Sequence, residues 1–208
     1  MVDQVTINKK LNLVVPIDLD NGVKIWAHSV PISREVFESN YLLLTRTLSD
    51  LYANGIGPAM APRIASLVLK ATAKEMNSEV DISNNLLQEV YRLTNFIMPN
   101  TNNGGGWQTV PFYDVKTKHM IDDQSLSEVE NAIIYFIVAS ALHLKSELPM
   151  AYQGLRSIWN AQTTSLNVTE YRSSLAISTA DASIGEKQPP PVIPPQKVVL
   201  PKASSIPS

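Results

Sequence analysis

The sequence of 208 residues contains no cysteine. This absence excludes disulfide bonds, cysteine-ligated zinc and thiol catalysis. Histidine is scarce: none of His28, His119 and His143 lies at metal-ligand spacing from another or from a pair of carboxylates. The chain also lacks a Walker loop, a G-x-G-x-x-G fingerprint and a G-x-S-x-G nucleophile elbow. The sequence therefore predicts no enzyme, no metal and no cofactor.

Charge is also sparse, since charged residues make up 17% of the chain and the net charge is −2. A nucleic-acid-binding protein would show a basic stripe, so no nucleic-acid partner is expected. A weakly charged surface is less protected against association, which favours protein partners or self-association; a monomer with a polar, uncharged surface is the alternative. The first ten residues lack the apolar core of a signal peptide, which predicts a cytoplasmic protein.

The most hydrophobic run is 125–145, SLSEVENAIIYFIVASALHLK. Ser125 and Glu128 match the S-x-x-E pattern of a capping box, and apolar residues then cover most of the helix circumference. Polar residues such as Glu130 and Asn131 interrupt the run, whereas a membrane span needs about 20 apolar residues. We therefore predict a buried central helix and no membrane span.

Residues 11–30 predict a β-hairpin, because two strand-like runs flank Asn21-Gly22, a typical hairpin turn. Pro16 in the first run is typical of an edge strand. Amphipathic periodicity predicts three helices after the hairpin. They cover about 33–54, 58–76 and 81–97, and shorter helical segments follow Pro149 and Asn167.

Residues 98–124 are expected to be irregular, because they contain three asparagines and the run Gly104–Gly106. Large apolar residues follow this run: Trp107, Phe112 and Tyr113. They have two interpretations. They either fold back as a lid over the core or form an exposed anchor for a partner, since aromatic residues dominate interface hot spots.

Seven of the fourteen prolines lie between Pro189 and Pro207, which predicts a disordered, polyproline-like tail over 178–208. Pro191, Val192, Ile193 and Pro194 match P-x-x-P, a pattern that aromatic-lined grooves recognise; a plain linker is the alternative. The predicted domains are thus a helical domain, 1–177, and this tail. The predicted fold class is mainly α, a helical bundle around the buried helix 125–145, with the hairpin at its N-terminus.

Two stretches carry a family resemblance. Residues 31–70, with the phrases SREVFE and APRIA, and residues 158–179, with AQTTSLN, resemble the tail assembly chaperones of long-tailed bacteriophages. The resemblance implies a mainly helical, non-enzymatic protein of the host cell cytoplasm. It would bind the tape-measure protein, keep it soluble and help recruit tail tube subunits. A structural tail or connector protein of the virion is the second hypothesis, and an enzyme whose catalytic residues are distant in sequence is the third.

Overall fold

The computed structural model describes residues 11–53, 57–76, 82–100 and 105–175, all of which belong to one compact unit. The predicted tail, 178–208, lies outside the described residues. The described part contains five strands and nine helices. In chain order they are β1 (Asn12–Asp18), β2 (Lys24–Ser29), α1 (Arg34–Ser39), α2 (Tyr41–Ala53), α3 (Gly57–Met76), α4 (Ile82–Arg92), β3 (Thr94–Pro99), β4 (Trp107–Pro111), α5 (Phe112–Thr117), α6 (Asp123–Leu142), α7 (Leu148–Ala151), α8 (Gln153–Trp159), β5 (Gln162–Thr164) and α9 (Val168–Ser174).

The five strands form one antiparallel sheet in the order β4-β3-β2-β1-β5. The predicted fold class, a helical bundle with only an N-terminal hairpin, is therefore wrong. The third predicted helix ends at Arg92, and Thr94–Pro99 continues as a strand. Val90, Thr94 and Ile97 matched a helical stripe by spacing alone, and short apolar runs do not distinguish a helix from a strand. Likewise 98–124, expected to be irregular, supplies β4 and α5.

The predicted hairpin is present as β1 and β2. The Leu19 N–H donates to the Val23 carbonyl at 2.9 Å, and the Gly22 N–H donates to the Leu19 carbonyl at 2.8 Å. Gly22 has a φ of 77°, which glycine adopts at little cost. Because backbone groups alternate along a strand, Pro16 directs its nitrogen away from β2, where no N–H is required.

The two sheet faces bury different kinds of residue. On the first face, Val15, Ile25 and Phe96 belong to the main core beneath the helices. The second face carries Trp26 and His28, and α9 lies against β3 and β4. Sheet and helices thus share one continuous core, with the second face closed in part by the C-terminal end of the described chain.

Helix α6 is buried along most of its length. It contacts β1 on the sheet and α2, α3 and α4 among the helices, which explains why apolar residues cover its circumference. By length and composition it could cross a membrane, but 67% of its most apolar window is buried inside the protein. Its N-cap is Asp122, whose carboxylate accepts from the Ser125 N–H at 2.7 Å, so the capping box predicted at Ser125 is wrong.

His28 attaches the segment that leads into α9 to the second face. Its Nε2 donates to the Leu166 carbonyl at 3.0 Å, and the same carbonyl accepts from the Asn12 side chain at 2.9 Å. The His28 ring is fully buried, and its Nδ1 has no hydrogen-bond partner among the described residues. Burial therefore lowers the pKa of His28 below its ordinary value, while the bond to Leu166 opposes that change.

We expect His28 to make the protein less stable in mild acid. The unfolded chain takes up a proton near pH 6.5 that the folded form binds only at lower pH, so the free energy of unfolding falls as the pH decreases from 7 to 5. His28→Gln keeps an N–H donor for Leu166 and should reduce this slope, measured by urea unfolding across that pH range. His119→Gln, at a histidine whose side chain is 79% exposed, is the control and should leave the slope unchanged. Equal slopes in wild type and His28→Gln would show that His28 is not the source of this pH dependence.

Candidate partner-binding site

The structure separates the aromatic residues that the sequence predicted as a partner anchor. Phe112 is fully buried, stacked on Tyr91 at 4.4 Å between ring centroids, and so belongs to the core. Tyr113, its neighbour in α5, is 62% exposed. Trp107 is half-buried on the opposite face of the sheet, where its ring meets Trp26 edge-on at 4.9 Å. The lid interpretation therefore describes Phe112, and the three residues do not form one surface.

The other predicted partner residues, Pro191, Val192, Ile193 and Pro194, lie outside the described residues. The structure also contains an accessible surface that the sequence did not predict. It is a groove of about 410 Å³ between α3 and α8, with the first half of α6 at its base. We call it the α3–α8 groove.

Its apolar wall consists of Leu67 from α3 and Ile158 and Trp159 from α8. Leu67 is 64% exposed, and the other two are half-buried. The Trp159 indole donates to Glu128 Oε2 at 3.1 Å, which fixes the ring against α6. These three side chains give a groove of mixed polar and apolar lining a wall against which a partner could place an apolar face.

By spacing alone Leu67 falls on an apolar stripe of α3, which would predict burial, yet its side chain is exposed. The residues of α3 that are buried include Ala61, Ala65 and Ala73. Small side chains permit a close approach of α3 to α6, so the helix is rotated and presents Leu67 to solvent. Met60 lies two turns before Leu67 and is 50% exposed, which extends the same outward stripe.

Arg63 gives the groove a basic rim. It lies one turn before Leu67, is exposed, and has no ion-pair partner among the residues that the structure describes. Across the groove, Glu128 is engaged by Trp159 and by the Gln124 side chain. The positive charge of Arg63 beside the apolar wall of the groove is complementary to a partner that combines apolar and acidic side chains.

A buried polar cluster fixes the two helices that form the groove. Glu130 of α6 is 8% exposed; its carboxylate accepts hydrogen bonds from the Ser66 hydroxyl and, at 2.5 Å, from Lys70. The adjacent Asn131 accepts from the Ser66 backbone N–H at 2.9 Å. Helix α3 is thus joined to α6 through one of its own backbone groups.

The pKa of Glu130 depends on the cationic side chain of Lys70. Burial raises the pKa of Glu130, but hydrogen bonds from Lys70, Ser66 and Tyr91 and the charge of Lys70 lower it further than burial raises it, so the net pKa lies below the ordinary value. Tyr91 in turn has its pKa raised, chiefly by burial and then by the Glu130 charge. Glu130 is thus ionised at neutral pH because its partners compensate for burial.

Within the described ranges, no group of three or more histidine, aspartate and glutamate side chains is placed to hold a metal ion. Comparisons with protein-family models, with curated proteins and with solved structures found no match.

Replacing Lys70 by methionine should destabilise the protein by about 1–3 kcal/mol at pH 7, since a buried carboxylate then loses its charged partner. The loss should become smaller towards pH 4, below the ordinary glutamate pKa of 4.5, because protonation of Glu130 relieves a buried charge in the variant but breaks the ion pair in the wild type. Urea unfolding at the two pH values measures both effects. Lys74→Met, at an exposed lysine of the same helix, is the control. A Lys70→Met cost that is absent, or equal at both pH values, would contradict the role of the cluster.

Proposed function

We propose that this protein is a non-enzymatic assembly factor that holds an amphipathic polypeptide in the α3–α8 groove. The observation that carries the proposal is the exposure of Leu67 beside Ile158 and Trp159 on a rigidly joined helix pair. An amphipathic helix binds by placing its apolar face in a groove of this kind. Its acidic residues would meet Arg63 at the rim.

The resemblance of residues 31–70 and 158–179 supplies a specific form of this proposal. Both segments contribute to the groove, since the first contains Arg63 and Leu67 and the second contains Ile158 and Trp159. We propose a bacteriophage tail assembly chaperone that acts in the host cell cytoplasm. Its partners would be the tape-measure protein, whose solubility it would maintain, and the tail tube protein.

Binding of a long partner does not require a strong single contact. A long coiled-coil-like polypeptide repeats its apolar stripe, so several copies of the protein can bind along it. Multivalency then raises the overall avidity above that of each groove. Weak individual contacts also permit displacement when tube subunits arrive.

A structural tail or connector protein is the second candidate, and the outer edge of β4 favours it. The Asn100 N–H donates to the Gly106 carbonyl at 2.9 Å, so by alternation Thr109 directs its backbone groups away from β3. An edge strand of this kind can pair with a neighbouring subunit. Mass spectrometry of purified particles separates the candidates, since stoichiometric presence there favours the structural protein over the chaperone.

The groove proposal is tested by co-expression with the longest coiled-coil protein encoded beside this gene. We expect that protein to be soluble with the wild-type chain and largely insoluble with Leu67→Asp, because the substitution places a charge in the apolar wall and opposes acidic partner residues. Loss of a central apolar contact costs about 2 kcal/mol, which corresponds to at least about tenfold weaker binding of the purified proteins.

Leu42→Asp is the matched control. Leu42 is 68% exposed on α2 and does not line the groove, so this variant should maintain solubility like wild type. If the coiled-coil protein is equally soluble without this chain, the chaperone role is wrong. If both aspartate variants behave alike, the role does not depend on the α3–α8 groove.

A further inference from the structure

A second cavity, of about 370 Å³, lies at the opposite end of α6 from the groove. We call it the α6–α8 pocket. Ser127 lines the groove and Ser140 lines the pocket, and they are separated by about 20 Å along the helix, at about 1.5 Å per residue. The pocket therefore forms a separate site. Its volume lies within the range of about 300–1,000 Å³ that is typical of ligand pockets.

Apolar side chains form most of its wall. They come from three parts of the fold, namely the residue before β1, the second residue after β2 and the α7–α8 region: Leu11, Pro31, Leu148, Pro149 and Tyr152. Tyr152 is almost fully buried, and its hydroxyl lies 2.7 Å from that of Ser140. Ser140 donates to the Phe136 carbonyl at 2.6 Å, so Tyr152 donates to Ser140 and the base of the pocket is internally satisfied.

The polar part of the wall is basic. Lys145 and Arg156 line the pocket together with His143, and no carboxylate lines it. Neither Lys145 nor Arg156 has an ion-pair partner among the described residues. Glu147, the nearest acid in sequence, uses its carboxylate to accept from the Leu144 N–H at 2.9 Å. The pocket thus places two cationic side chains beside an apolar wall, with no carboxylate on its lining.

Thr163 adds backbone hydrogen-bonding groups at the same place. It lies in β5, the outermost strand of the sheet on this side, and lines the pocket. Val14, which points its backbone away from β2, pairs with Gln162. By alternation, Thr163 directs its N–H and carbonyl outward from the sheet, and neither group has a partner within the described part of the chain. This edge can pair with one extended residue.

We propose that the α6–α8 pocket binds the C-terminal residue of another polypeptide. Its carboxylate would lie against Arg156 and Lys145, its apolar side chain against Leu148 and Tyr152, and its backbone beside Thr163. Charge-assisted hydrogen bonds to a carboxylate are stronger than hydrogen bonds between neutral groups. Binding of a C-terminal carboxylate in this way is a known mode of peptide recognition. A fatty acid shares the carboxylate and the apolar body, but it has no amide group for Thr163.

Fluorescence polarisation with a labelled hexapeptide that ends in Ser-Leu tests the proposal on the full-length protein. We expect the free-acid peptide to bind at least about tenfold more tightly than the same peptide with an amidated terminus, which corresponds to about 1.4 kcal/mol for the carboxylate. Arg156→Gln and Lys145→Gln should each weaken binding of the free acid towards that of the amide. Both side chains are exposed, and Lys118→Gln, on a distant surface, is the control.

Equal binding of the two peptides, or no binding of either, would overturn the proposal. Binding of decanoate without binding of the free-acid peptide would overturn it as well, because the pocket would then be a fatty-acid site. Peptide binding by the α6–α8 pocket is independent of the α3–α8 groove. Leu67→Asp should therefore leave peptide binding unchanged, and Arg156→Gln should leave the coiled-coil partner soluble.

Discussion

Burial of α6 on every side from Val129 to Ala139 is the constraint on which the rest of the structure depends. A helix with apolar residues around its circumference has to be covered all round, and no single neighbour covers more than one face. Here the sheet supplies one cover, and α2, α3 and α4 supply the others. The strands are thus required by the same apolar helix that suggested a helical bundle.

The close packing of α3 on α6 determines which side chains remain for partners. Alanines on the inner face of α3 bring the two helices together, and Ser66 and Lys70 engage Glu130 and Asn131 there. The buried Glu130 carboxylate is costly to desolvate, but its half-exposed partner Lys70 and Ser66 fix one rotation of α3, since any other rotation leaves Glu130 unpaired. That rotation exposes Leu67, so one interaction both joins the helices and forms the groove.

Local signals in the sequence predicted the hairpin, the burial of the helix around 125–145 and the helical segment after Asn167, whose side chain forms a capping box with Glu170. Each of these depends on neighbouring residues. The features that sequence reasoning missed depend on distant ones. Thr94–Pro99 becomes a strand because β2 is available to pair with it, and three-residue β5 has no periodicity to detect. Leu67 is exposed because its neighbour Ser66 contacts Glu130 and Asn131, which lie 64 and 65 residues further along the chain.

The edges of the sheet differ in whether proline removes a backbone N–H that would otherwise point outward and pair with another chain. Proline without an N–H lies at Pro16 on the half of β1 that β5 leaves open. At the other edge Pro111 ends β4, but Thr109 points an ordinary N–H outward. Thr163 on β5 has no such protection, because it carries an ordinary N–H and points it outward. An unprotected edge one residue long cannot support sheet-to-sheet association, yet it suffices to align a single extended residue. Arg156 and Lys145 beside it make the position selective for a residue that bears a negative charge at its end, which is what distinguishes a chain terminus from the middle of a chain.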